Sequence, residues 1–258
     1  MSRGKLDEET AKKVEDELPN VDVVRCSSLE LNPDLISIGF PVGSSFPIAA
    51  VCLHDATSVL QEARYALLEA IAHLVWYRVK NNPPNEYLAL FFGKFYADDV
   101  ALRLYAAAEH LANAIINILD IESDIADFKK SKKLGVSSQQ AIVGKYLAKN
   151  LPTHKITKAI LSLRDSQDWK KTRDYRDAWV HQKPPIIKGL GINYQRRNRL
   201  KVTNNMMGVT FGSGDEAVYT VDELLNFMKP SLYLLTDATS QIVEHFINYL
   251  NENLLKDF

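Results

Sequence analysis

The chain has 258 residues, 46% of them hydrophobic and 24% charged, with a formal net charge of −1 at pH 7. That length can bury a full core unaided, and two cysteines, Cys26 and Cys52, are too few for a disulfide framework. The charge balance excludes a surface that attracts nucleic acid everywhere, the apolar runs are too broken to span a membrane, and no signal peptide is visible, so a reducing, cytoplasmic setting without membrane contact is expected.

Residues 1–20 are strongly charged. Asp7 to Leu18 predicts a short helix with a thin apolar face, ending before Pro19 and loosely attached. Val21-Asp22-Val23-Val24 and Leu35-Ile36-Ser37-Ile38-Gly39-Phe40 are β-branched runs bounded by Pro and Gly, which predicts short strands or extended pieces. Phe46-Pro47-Ile48-Ala49-Ala50-Val51 is expected as their tail, packed onto helices. Residues 1–52 together read as an irregular N-terminal extension.

From His54 the period changes. Leu60, Ala63, Leu67, Leu68, Ile71, Leu74 and Val75 recur at helical steps, and Lys80-Asn81-Asn82-Pro83-Pro84 ends that helix. A second helical stretch starts near Glu86, restarts or bends around Asp98-Asp99, and runs to about Ile121 through Leu102, Tyr105, Leu111, Ile115 and Ile116. Its alanines (Ala106, Ala107, Ala108, Ala112, Ala114) permit close approach of a neighbour. Lys129-Lys130-Ser131-Lys132-Lys133-Leu134-Gly135 reads as a solvated basic loop. Ser137-Ser138-Gln139-Gln140 matches a capping box, and Pro152-Thr153 opens another helix that bends at Asp165-Ser166 into the next segment. Residues 186–219 read as an excursion containing a β-hairpin. Thr220-Val221-Asp222-Glu223 is a second capping box, starting a final helix that Pro230 should kink or split. The sum is an all-α fold: an antiparallel helical bundle with a small β-hairpin insertion and an irregular N-terminal extension.

The densest chemistry lies in Arg173-Asp174-Tyr175-Arg176-Asp177-Ala178-Trp179-Val180-His181, closed by Pro184-Pro185. Asp177 stands one turn before His181 and can hold its imidazole, and the helix C-terminus favours the cationic ring. Histidine is the side chain most readily tuned near neutral pH, and an arginine fork suits phosphate oxygens. Arg176 and His181 are five positions apart, about 140° round an ideal helix. A long arginine, an opened last turn or a second copy of the chain would bring them together; the second copy is the arrangement favoured, with a ligand in the cleft on a twofold axis.

Arg176-Asp177-Ala178-Trp179-Val180-His181 resembles the signature of the HEPN superfamily (higher eukaryotes and prokaryotes nucleotide-binding domains): an arginine, a polar residue, three more residues and a histidine. The resemblance covers roughly residues 54–255, so residues 53–258 are expected as a HEPN-like bundle with an insertion at about 186–219. It implies a metal-independent endoribonuclease of defence or stress response, acting as a homodimer on RNA without a cofactor, with a protein antitoxin or regulator as a further partner. By that resemblance His181 is the acid–base group, Arg176 holds the scissile phosphate, Asp177 orients or tunes, and the 2′-hydroxyl of the RNA attacks. Other members of the superfamily have lost catalysis and bind nucleotide or protein only. In one subgroup a tyrosine stands two places after the histidine; Lys183 occupies that place here.

Further candidates come from the residues themselves. Arg173 is a second phosphate ligand, and Arg196, Arg197 and Arg199 in the excursion, with Tyr194 nearby, are candidates for RNA backbone contact. Arg103 and His110, seven apart, form a lower-ranked match to the same signature. No His or Cys spacing suggests a metal site.

Overall fold

The structure is a computed structural model describing residues 4–22, 24, 43–132, 138–181, 184–190, 198–203, 206–210 and 217–253. Helix α1 spans Glu8–Asp16 and α2 Phe46–Val75, the latter continuing into a π-helical segment, Trp76–Lys80. Then come α3 (Glu86–Ile118), α4 (Glu122–Ser131), α5 (Gln139–Asn150), α6 (Lys155–Asp165) and α7 (Gln167–His181). Strands β1 (Asn198–Thr203) and β2 (Met206–Thr210) precede α8 (Val221–Asn253).

Helices α2 and α3 form an antiparallel spine. The Ser45 hydroxyl donates to the Asn117 carbonyl at one end (2.8 Å), and the Asn85 N–H to the Tyr77 carbonyl at the other (2.8 Å). Their interface is lined by small residues, including Ala56, Ala63, Ala70, Ala97, Ala101 and Ala107, all essentially buried. Helix α8 lays Val221, Leu224, Met228, Leu232, Leu235, Ile242 and Phe246 across the spine and against α6 and α7. Among the described residues, no helix is long and apolar enough to cross a membrane.

Several expectations change. Phe46 to Val51 is not a tail: it forms the first turns of α2, with Pro47 where a missing N–H costs nothing. The N-terminal segment is not loose. Val14, Leu18, Val21 and Val24 are buried, Lys229 pairs with Glu17 at 2.8 Å, and the Arg64 side chain donates to the Pro19 carbonyl. Helix α3 passes Asp98-Asp99 without a break, because Lys94 and Arg103 pair with those carboxylates one turn away. It stops at Ile118 rather than Ile121, and Asp120 takes a left-handed φ of 50°. Lys129 and Lys130 form the last turn of α4, not a loop, where cations suit the helix dipole; 133–137 lie outside the described residues. Helix α5 has no serine cap: the Glu109 carboxylate on α3 accepts from the Gln139 and Gln140 N–H groups at 2.9 and 3.3 Å.

Two other features match, the break before α7 and the capping box of α8. A break at Ser166 divides α6 from α7. Thr220 and Glu223 exchange side chain-to-backbone bonds at 3.1 and 2.7 Å, opening α8 with a capping box. Helix α8 runs through Pro230 without splitting. Ile187 bridges Tyr219, and the Lys188 N–H donates to the Tyr219 carbonyl at 2.9 Å, closing the base of the excursion. Within it β1 and β2 pair antiparallel. The run at Leu35–Phe40 lies outside the described residues.

Candidate functional site

Helix α7 is held by three buried side chains, Trp169, Thr172 and Tyr175. The Thr172 and Ser231 hydroxyls lie 2.8 Å apart, tying α7 to α8. The Tyr175 phenol donates to Asp98 on α3. Burial, then the Asp98 charge, pushes that phenol well above its ordinary range, so it remains a donor. With that face fixed, Arg176, Asp177 and His181 stand at the border between core and solvent.

The Arg176 guanidinium lies over the Tyr105 ring of α3, 3.7 Å from its centroid. Its Nη1 is 2.9 Å from Asp177 Oδ1 and 3.3 Å from His181 Nε2. Its Nε is buried with no hydrogen-bond partner among the described residues. The side chain is only 18% exposed, so the charge is partly desolvated and its hydrogen bonds are correspondingly strong.

A guanidinium can only donate. In this contact His181 Nε2 is therefore the acceptor, and a neutral ring carries its proton on Nδ1. Two expectations meet this geometry. The Arg–His separation is overcome within one chain by the reach of the arginine, the first of the three arrangements considered. The Asp177 carboxylate meets Arg176 rather than the imidazole, so the aspartate steadies the guanidinium instead. Chemically, the cluster offers a fixed cation beside an imidazole nitrogen whose lone pair accepts from that cation.

The remaining candidates separate. Arg173 turns to Asp174 at 2.9 Å. Arg199 lies in β1 opposite Val209, with its side chain outside the described part, and Arg196 and Arg197 lie outside the described residues. The second signature match is dispersed into ion pairs: Arg103 binds Asp99 and Glu62, and His110 Nδ1 is 3.9 Å from Asp55. Sequence reasoning missed Tyr105 and Asp98 as parts of the site. Tyr105 read as one more member of the core stripe of α3, and nothing in its local spacing points to a helix some seventy positions later. Comparison with protein-family models, curated proteins and solved structures finds no match to this chain.

Proposed function

We propose that the chain is a metal-independent endoribonuclease of the HEPN type, serving defence or stress response as a homodimer with the α7 ends of two copies at the contact. The observation that carries this reading is the 3.3 Å approach of Arg176 Nη1 to His181 Nε2 beside solvent. When the RNA phosphate draws the Arg176 N–H to itself, His181 Nε2 is freed and takes the proton of the RNA 2′-hydroxyl. The 2′-oxygen attacks the adjacent phosphorus, the bond to the 5′-oxygen breaks, and the imidazolium returns its proton to that leaving oxygen. A 2′,3′-cyclic phosphate results. Arg176, steadied by Asp177 and Tyr105, stabilises the charge that builds on the phosphoryl oxygens. Arg173 and the arginines of the excursion, Arg196, Arg197 and Arg199, are the proposed further contacts to the RNA backbone.

The test is cleavage of mixed RNA in EDTA by the parent, Arg176→Ala and His181→Ala. The expected result is cleavage by the parent with 2′,3′-cyclic ends and a loss of at least about 100-fold in each variant, as for removal of an acid–base group or a charge-stabilising donor. A second reading, a noncatalytic nucleotide-binding or protein-interaction module, draws on the Arg176–Asp177 pair at 2.9 Å, which engages the guanidinium within its own helix. Equal cleavage in all three proteins, or none in any, would select it.

A further inference from the structure

Asp98 of α3 joins two elements. Its Oδ1 accepts from the Tyr175 hydroxyl of α7, and its Oδ2 from the Lys94 ammonium one turn back on α3, each at 2.5 Å. The Asp98 side chain is 15% exposed and that of Lys94 23%. The lysine balances the charge of the carboxylate in this half-sheltered place. The phenol therefore bonds to a charged acceptor, and such bonds are roughly twice as strong as neutral ones. Asp99, next in sequence, pairs instead with Arg103 within α3.

That bond falls where α7 needs it. The buried side chains of α7 are Trp169, Thr172 and Tyr175, and none of Arg176–His181 is buried. The candidate site therefore hangs on the stretch beyond the last anchor. The Tyr175 ring packs against Tyr219 and Phe227, with centroids 5.9 and 6.5 Å away. Packing of this kind is non-directional, whereas a hydrogen bond weakens steeply with angle. Arg176 follows Tyr175 by about 100° and about 1.5 Å. A turn of α7 that carried the phenol away from Asp98 would also carry the guanidinium off the Tyr105 ring, where it lies 3.7 Å from the centroid. Asp98 and Tyr105 stand two turns apart on one face of α3, about 10 Å along its axis. Two adjacent residues of α7 are thus registered against two fixed points on α3.

We propose that Asp98 is a positioning residue: through the Tyr175 hydroxyl it sets the rotation of the end of α7, and so holds Arg176 on Tyr105 and its Nη1 against His181. The bonds of Asp98 go to Lys94 and Tyr175, so it acts through α7 and not on a substrate. The inference rests on Arg176 and His181 forming the site, and not on what the site cleaves. The tautomer of the His181 ring reads the geometry with no RNA present.

Nitrogen-15 spectra of the full chain, taken above the histidine titration range, give the tautomer of each of the six histidines. His181→Ala identifies the signal that matters. The Nδ1–H form of His181 should predominate in the parent. Tyr175→Phe keeps the ring and removes only the donor. It should lower the ratio of Nδ1–H to Nε2–H by at least about 5-fold, since a hydrogen bond to a charged group contributes on that scale. Asp98→Leu should lower the ratio as far, and the double variant no further than either alone, because both remove one bond. Asp98→Asn keeps an acceptor oxygen and should recover part of the ratio. Asp99→Asn breaks a similar ion pair that lies within α3 and should leave the ratio at the parent value. If Asp98→Leu loses its cooperative melt, Tyr175→Phe and Asp99→Asn decide. A folded Tyr175→Phe with the parent ratio overturns the proposal. So does an equal shift in Asp99→Asn, because the charge on α3 and not the bond to Tyr175 would then orient the ring. A parent that cleaves no RNA removes the ribonuclease reading alone and leaves the tautomer comparison to stand by itself.

Discussion

At the scale of single residues, Tyr105 sets what Arg176 can do. An arginine free in solvent has many rotamers; one laid on an aromatic face has few, and the Nη1 edge then meets Asp177 and His181 together. A partly desolvated cation–π contact contributes about 0.5–2 kcal/mol. Tyr105→Leu should therefore lower RNA cleavage by about 2- to 30-fold, while Tyr105→Phe, which keeps the ring, should stay near the parent. Nitrogen-15 spectra of the His181 ring give a check that does not depend on activity. The neutral ring should carry its proton on Nδ1 in the parent, and Tyr105→Leu or Arg176→Ala should shift it toward the Nε2–H form. An unchanged tautomer in Arg176→Ala would mean that the 3.3 Å contact does not orient the imidazole.

At the scale of elements, helix ends are met both by their own caps, Asp7 for α1, Asn85 for α3 and Thr220 for α8, and by neighbours. Glu109 caps α5 from α3, and Arg78 joins the end of the α2 rod to Glu86 and Asp222 at the starts of α3 and α8, each at 2.9 Å. The start of α6 packs beside a histidine of α8 that responds to pH. His154 Nδ1 accepts the Ile156 N–H at 3.3 Å, and the His154 ring meets His245 of α8 edge-on at 5.2 Å. Burial, and then the nearness of His154 and Lys155, holds His245 below its ordinary value, with Glu252 opposing. The unfolded chain thus takes up a proton on this histidine more readily than the folded one. Its contribution is fully present above the ordinary value of 6.5 and is lost as pH falls through the lower folded value. The melting temperature should fall between pH 8 and pH 5, and His245→Gln should flatten that part of the profile. His154→Ala, which removes the cap on the Ile156 N–H, should cost about 1 kcal/mol of stability by chemical denaturation.

At the scale of the whole molecule, the spine of α2 and α3 carries the fold, and α8 locks α7 against it. The backbone of Gly93 shows how close the contact is: a Cβ there would stand 2.9 Å from Val221 and 3.1 Å from Leu74. The proposed homodimer belongs to this scale. Val180, 40% exposed, is an apolar side chain directly before His181 at the end of α7. If the α7 ends of two copies meet, Val180→Glu should turn the dimer into a monomer by light scattering and leave the helical circular dichroism intact. Cleavage per chain by the parent should also fall on dilution. A parent that is monomeric at every concentration yet cleaves fully would place the whole site in one chain.

The sequence by itself determined the helical class, the two long helices, the break before α7 and the capping box of α8, because period, proline and cap chemistry act within a few residues of one another; it named Arg176 and His181 without bringing them together in one chain. It misread Asp98-Asp99 as a break and Phe46–Val51 as a tail, since charged or proline-bearing runs look like ends until a partner one turn or one helix away satisfies them. Tertiary structure alone decided that Asp177 meets Arg176 and not His181, and that Tyr105 lies beneath the guanidinium. Those outcomes depend on which side chains α3 and α7 bring within a few ångströms, and local spacing along either helix carries no information about the other.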